Sequence, residues 1–353
     1  MAHKTLINGT AYDIAGGKTL VEGTSYSVKN GKVLIDGTEH DISLLLPAVA
    51  LDVWTSDYRD CTIECIFNVL GYWVVGGLCN TGDGCYARIA YATNLDGPWT
   101  IKDLWSGSVN CNICGIGYGL GGYWIVAGNY SAPKSSNTEA RIAYAKSLDG
   151  DWTIKTLWNG VSSHMNCIKM AASYIVVGGT YGSGTTEYAR MAYAASPSDT
   201  WTTQDLWSGY SAQIYSINWG NNSWVAAGTY RLSATSSNND QARIAYKGGP
   251  PSGTWTTKDL WNGHKSAIIR CVTYANNYWV VGGQLNLSSA RIAYCLGAPS
   301  GTWTINTLWT GSTNHINSIT YANGYWAACG YYWTDGDSRS VTRIAYVSGS
   351  PSG

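Results

Sequence analysis

Six times the chain writes nearly the same five residues: Ala87-Arg88-Ile89-Ala90-Tyr91, Ala140 to Tyr144, Ala189 to Tyr193, Ala242 to Tyr246, Ala290 to Tyr294 and Thr342 to Tyr346. Successive starts lie 53, 49, 53, 48 and 52 residues apart. A period of that length is too long for a helical solenoid unit and suits one propeller blade. Residues that recur are scaffold, so function is to be sought among those that do not.

Composition agrees with an all-β chain. In 353 residues there are 42 Gly, 26 Tyr and 18 Trp against a single Phe, which leaves few helix-forming runs. Formal net charge is zero and no basic cluster stands out, which argues against nucleic acid as a partner. No apolar run approaches the ~18 residues that would insert in a membrane. Met1 to Thr5 lack the apolar core of a secretory signal. The cysteines are scattered; Cys111 and Cys114 form one CxxC without a second pair, so neither a metal nor a cofactor is expected. Cys65, Cys167 and Cys271 share a repeat position and read as small buried side chains. Cys79 and Cys85 flank a Gly-containing loop and are placed to close it as a disulfide in an oxidising environment.

Each repeat reads as four strands. In the fifth, Ile268 to Tyr274 alternates, Asn276-Asn277 turns, and Tyr278 to Gly283 runs back. Ala290 to Tyr294 and Trp303 to Trp309 follow, joined by a Pro299-Ser300-Gly301 turn. The sixth repeat ends where its fourth strand is due, and Val49 to Trp54 matches fourth-strand endings such as Lys102 to Trp105. The expected fold is therefore all-β: a six-bladed β-propeller of four-stranded antiparallel blades over residues 45–353, closed by an N-terminal strand.

The repeat resembles the kelch family, in which a hydrophobic run ends in Gly-Gly and is followed by a Tyr and then a Trp. Gly76-Gly77 with Tyr91 and Trp99 fits, as do Gly178-Gly179 and Gly282-Gly283; Ala127-Gly128, Ala227-Gly228 and Cys329-Gly330 depart from it. Ser147 to Thr153 also resembles a degraded Asp-box of sialidase-like propellers. Both resemblances imply fold, and function does not follow from fold.

Sixteen of the 18 Trp sit at repeated positions and are assigned to packing between blades. The motif arginines (Arg88, Arg141, Arg190, Arg243, Arg291, Arg343) are assigned to the scaffold, with Asp103, Asp205 and Asp259 on the adjacent strand as partners. What remains collects on one face, formed by the loops between second and third strands and between blades. Candidate ligand-binding residues there are Tyr58, Arg59, Glu64, His164, Tyr215, Arg231, Arg270, His315, Tyr331, Tyr332, Trp333 and Arg339. Near the mouth of the inner strands one repeat position reads Glu64, Cys114, Asn166, Tyr215, Arg270 and Asn317, a diverse polar ring where a pure scaffold would keep one residue. Rings beside amides and charges suit a glycan or a polar protein surface.

Residues 1–44 hold a shorter repeat of period 14: Ile7 to Ile14, Val21 to Val28 and Ile35 to Ile42, with Gly16-Gly17 and Asn30-Gly31 as turns. This small β-module is too short to hide its apolar surface and should dock. It resembles N-terminal segments of phage and prophage structural proteins. That resemblance implies a non-enzymatic virion protein in a tail-fibre or decoration role, made in the host cytoplasm and released by lysis. Residues 1–44 would attach to other virion proteins, and the propeller would bind host cell-surface glycan or protein; homo-oligomerisation is left open. The alternatives are a sialidase-like glycoside hydrolase, a purely architectural capsid or baseplate protein, and a free lectin. For the hydrolase, Arg59, Arg270 and Arg339 would form the arginine cluster, with Glu64, Tyr215 and Asp57 as reacting groups.

Overall fold

The computed structural model describes residues 3–7, 10–15, 18–21, 24–29, 32–35, 38–41, 43–45, 52–54, 61–81, 84–107, 111–132, 135–232, 240–263, 266–333 and 340–352. They fall into two compact units, Met1–Asp52 and Val53–Gly353. The first is one seven-stranded antiparallel sheet, from His3–Ile7 to Ser43–Leu45, in which the first strand pairs with both the second and the last. Two strands per 14-residue repeat account for the sequence pattern.

The second unit is all-β and carries six antiparallel sheets in sequence order, the blades of a propeller. Blades one to five have four strands; among the described residues blade six has three, Asn314–Ala322, Tyr325–Trp333 and Ser340–Ser348. Blade four shows the pattern: Ser211–Gly220, Ser223–Arg231, Asp240–Gly248 and Thr256–Gly263. The second strands of blades one to five are buried on both faces along their middle and read as continuous apolar runs, such as Trp224 to Ala227, all at 0% exposure.

The tryptophans do what recurrence implied. Each Trp that opens a fourth strand donates its Nε1–H to the carbonyl four residues earlier, capping the preceding turn: Trp99 to Leu95, Trp152 to Leu148, Trp201 to Pro197, Trp255 to Pro251 and Trp303 to Pro299, at 2.9–3.2 Å. Each Trp near a fourth-strand end instead reaches the next blade. Trp105, Trp158, Trp207 and Trp261 donate to Asn129, Thr180, Thr229 and Gln284 carbonyls at 2.8–2.9 Å. One residue type thus closes turns within a blade and seams between blades.

Of the N-terminal closing segment, Val49 to Leu51 lie outside the described residues, and Asp52 to Trp54 are described outside any strand. Trp54 is nonetheless buried against Val75, Cys79 and Ala90 of blade one. Trp105 takes the corresponding place on blade two, beside Val126. The disulfide differs from the expectation: Cys79 pairs with Cys61 across the first two strands, whose register sets them opposite each other. Cys85 instead meets Cys111, accepting its backbone N–H at 3.2 Å.

Candidate functional site

In every blade the register between first and second strand skips one residue. The skipped residues are Glu64, Cys114, Asn166, Tyr215, Arg270 and Asn317, the same six singled out by sequence. A bulge of this kind frees a residue from the ladder and re-aims its side chain. All six line one open cavity of about 280 Å³, together with Asn112, Asn129 and Met165.

Glycine makes the bulge possible. At Gly77, Gly128, Gly179, Gly228, Gly283 and Gly330 a Cβ would lie 1.8–1.9 Å from a first-strand carbonyl oxygen. At the preceding position a Cβ would meet only side-chain atoms, which can move aside, and blades two, four and six place Ala127, Ala227 and Cys329 there. Only the second glycine of the repeated pair is therefore obligatory, which is why the Gly-Gly pattern holds in half the blades.

The cavity wall is chemically uneven. Asn166 donates Nδ2 to the Ile214 carbonyl at 2.8 Å, and Asn129 is held by both the backbone N–H and the carbonyl of Met165. The Cys114 thiol donates to the Met165 carbonyl at 2.7 Å, and burial pushes its pKa well up, so it is an inert thiol. Glu64 is exposed and accepts a hydrogen bond from the Thr62 hydroxyl at 3.0 Å. Arg270 donates Nε and Nη2 to Gln284 Oε1, both at 3.3 Å, and stands 5.9 Å from the Tyr215 ring centroid. Burial raises the Tyr215 hydroxyl; Arg270 opposes this, and Glu187 and Asp240 add to it. Burial also raises the Glu187 carboxyl, against hydrogen bonds from the Ala212 backbone and Gln213.

The other candidates scatter. Tyr58, Arg59 and Arg339 lie outside the described residues, as do Asp57, His264, Lys265, Asp335 and Asp337. Arg231 lines a second cavity and forms a two-pronged pair with Asp240, its Nη2 donating to Oδ2 at 2.9 Å. His164 is half-buried, pairs with Thr180 in the sheet, and lines neither cavity. His315 packs edge-on to Tyr331 at 3.9 Å between centroids; burial first, then Arg270, lowers its pKa to about 4. Tyr332 lies beneath Arg343 at 4.1 Å, as Tyr130, Tyr181 and Tyr230 lie beneath Arg141, Arg190 and Arg243. These four tyrosines are platforms for the motif arginines. Trp333 is partly exposed on the rim of blade six, its N–H donated to the Thr313 carbonyl at 2.9 Å. Sequence reasoning missed Glu187 and Asp240. They share the position two residues before the motif, which reads Cys85, Thr138, Glu187, Asp240, Ser288 and Ser340 and is as variable as the cavity ring.

No protein-family model matches the chain, and no curated protein matches it. Solved structures do. A GH43 beta-xylosidase/alpha-arabinofuranosidase from a compost microbial metagenome, in complex with xylotriose, is 10% identical over 68% of this chain and 92% of that one, with a TM-score of 0.37. An alpha-L-arabinofuranosidase from Fusarium graminearum with an iminosugar inhibitor is 11% identical over 83% of this chain and 94% of that one, at 0.49. Trypanosoma rangeli sialidase with sialic acid is 11% identical at 0.44; this chain is covered to 94% but spans only 59% of the sialidase. These proteins are glycoside hydrolases and a sialidase, not virion proteins or kelch repeats. The expectation of a non-enzymatic phage virion protein is corrected on that finding, and with it the expectation that the chain is not an enzyme.

Proposed function

We propose that the protein is a glycoside hydrolase acting at the central cavity of its propeller. The observation that carries this reading is the convergence, on one bulge-built ring, of Glu64, Tyr215 and Arg270, with the Glu187 charge bearing on the Tyr215 hydroxyl. Amides at Asn112, Asn166 and Asn317 surround them as partners for sugar hydroxyls. In this reading the Tyr215 oxygen attacks the anomeric carbon as the glycosidic C–O bond breaks, and Glu187, whose carboxyl burial pushes above its ordinary range, takes the phenol proton. Arg270 stabilises the phenolate as it forms, Glu64 acts as the acid that gives a proton to the departing alkoxide, and water then cleaves the tyrosyl–sugar bond, with Glu64 taking a proton back from it. Residues 1–44 are assigned an attachment role, and residues 45–353 the site.

Release of fluorophore from a panel of 4-methylumbelliferyl glycosides (xyloside, arabinofuranoside, sialoside, glucoside, galactoside) tests it. Turnover of at least one substrate is expected. Tyr215→Phe and Glu187→Gln should each lower kcat by about 100-fold or more, with the melting temperature held. No turnover anywhere in the panel, or turnover indifferent to Tyr215→Phe, overturns the proposal.

A further inference from the structure

A second cavity, of about 400 Å³, opens at the seam between blades three and four. Val161 lines it from the end of blade two's last strand, Ser162 from the turn into blade three, and Tyr210 and Gln213 from the start of blade four. Glu187 and Arg231 supply its charges. Part of its wall is bare backbone, since a Cβ on Gly182 would fall 1.6 Å from the Val161 carbonyl oxygen.

Three features distinguish this cavity from an incidental cleft. Glu187 Oε2 is buried and has no hydrogen-bond partner among the described residues. An unpaired buried carboxylate oxygen is costly unless a donor arrives from outside. Arg231 is fixed rather than floppy. Its partner Asp240 is itself buried at 4% exposure and also accepts the Ser266 backbone N–H at 2.7 Å, so the guanidinium is held with N–H groups to spare. Tyr210 keeps 44% of its surface exposed, an open aromatic face beside these polar groups.

The two cavities are joined by one strand and one carboxyl. Gln213 lines the outer cavity and Tyr215 the central one, two residues apart on the same strand, or about 7 Å along it. Glu187 lines the outer cavity while its charge acts on the Tyr215 hydroxyl. We infer that the seam cavity is a second saccharide subsite, so that the protein takes an oligosaccharide of at least two units, one sugar in the central ring and the next against Tyr210 and Arg231. This rests on the glycoside reading of the central cavity and adds the length of the substrate to it.

Calorimetric titration of the full chain, carrying Tyr215→Phe to prevent turnover, tests the inference with two pairs of probes: xylose against xylotriose, and sialic acid against 3′-sialyllactose. In at least one pair the longer sugar should bind about 10-fold tighter or better. Adding Tyr210→Ala, a change at an exposed position, should remove that gain and leave the affinity for the single sugar unchanged. Equal affinity for both lengths, or a gain that survives Tyr210→Ala, overturns the second subsite alone. Failure of all four probes to bind overturns the subsite together with the glycoside reading beneath it.

Discussion

A methyl group at Gly228 would lie 1.8 Å from the Gln213 carbonyl oxygen, and that carbonyl belongs to the strand whose bulge aims Tyr215. Gly228→Ala must therefore either push the first strand of blade four away or flatten its bulge. A loss of about 1–3 kcal/mol is expected in urea unfolding, with Tyr215 moved off the cavity. Gly282 is the matched control. A Cβ there meets only side-chain atoms of Ile319, Ile316 and Cys271, at 2.6–3.1 Å, and alanine occupies the same position in blades two and four. Gly282→Ala should cost well under half as much, and equal costs would show that the bulge is not what demands glycine. His315 gives a prediction in pH. Burial and the Arg270 charge hold its folded pKa near 4, below the ~6.5 of an exposed histidine. Between those values the unfolded chain binds a proton that the folded one refuses, so folding stability falls as pH drops from about 6.5 toward 4. Above pH 6.5 the group contributes no slope. His315→Gln should flatten that limb of the stability curve by up to about 3 kcal/mol, read from denaturant midpoints at pH 7 and 4.5. An unchanged slope would place the acid sensitivity elsewhere.

At the scale of the strand pair, the six motif arginines meet their neighbours in different ways for a reason visible in register. Arg88, Arg190 and Arg243 face Asp103, Asp205 and Asp259 directly and form two-pronged pairs, with Nε to Oδ1 at 2.6 Å. Arg141 faces Thr156 and turns to Glu139 on its own strand instead, Nε to Oε2 at 2.9 Å. Arg291 faces Thr307 and its buried Nε has no hydrogen-bond partner among the described residues. Thr307→Asp should supply the missing carboxylate and raise stability by about 0.5–1 kcal/mol, as a small increase in melting temperature. Thr156→Asp, where the arginine is already paired, should not. If both variants behave alike, the register argument fails. These pairs were legible in the sequence because Arg and Asp recur at offsets of 15 or 16 residues. The cavity ring was legible for the opposite reason: one position takes five identities in six blades, while the residue before it is always Ile or Met and the one after it always Cys, Gly or Ser. The bulge that aims it was not, because a skipped residue leaves no mark in the composition of a single strand. Tyr332 was misplaced among site residues although it recurs, with Tyr130, Tyr181 and Tyr230, two residues after the obligatory glycine, the same sign of scaffold that sorted the tryptophans correctly. The Cys61–Cys79 bond escaped notice because it depends on the pairing of two strands, whereas Cys79 and Cys85 merely lie close in sequence.

At the scale of the propeller, each blade holds the next by the same devices. Lys102 Nζ reaches the Asp149 carbonyl of the following blade at 3.0 Å, and Lys155 and Lys258 do likewise to Asp199 and Gly301, at 2.7 and 3.0 Å. The fourth-strand Trp fills each seam. Blades one and six depart from this rule on the faces that have no described neighbour. Ile66 is 59% exposed where Ile116 is 9%, and Ile344 is 70% exposed where Ile292 is 7%. Apolar side chains whose counterparts are core in at least four of the other blades are thus left exposed at the two ends of the series. On blade one the only described residue that covers its outer seam in the manner of Trp105 is Trp54, and it does so without a strand of its own. It should consequently carry more of that blade's stability than its place near a chain connection suggests. Replacing a buried Trp by Ala costs about 3–5 kcal/mol in a packed core. Trp54→Ala is expected to fall in that range, matching Trp105→Ala, and to expose blade one first in native-state hydrogen exchange. A cost below about 1 kcal/mol, with the amides of Cys61 to Val69 still protected, would mean that blade one is held by its seam with blade two alone and that Trp54 is only resting on it.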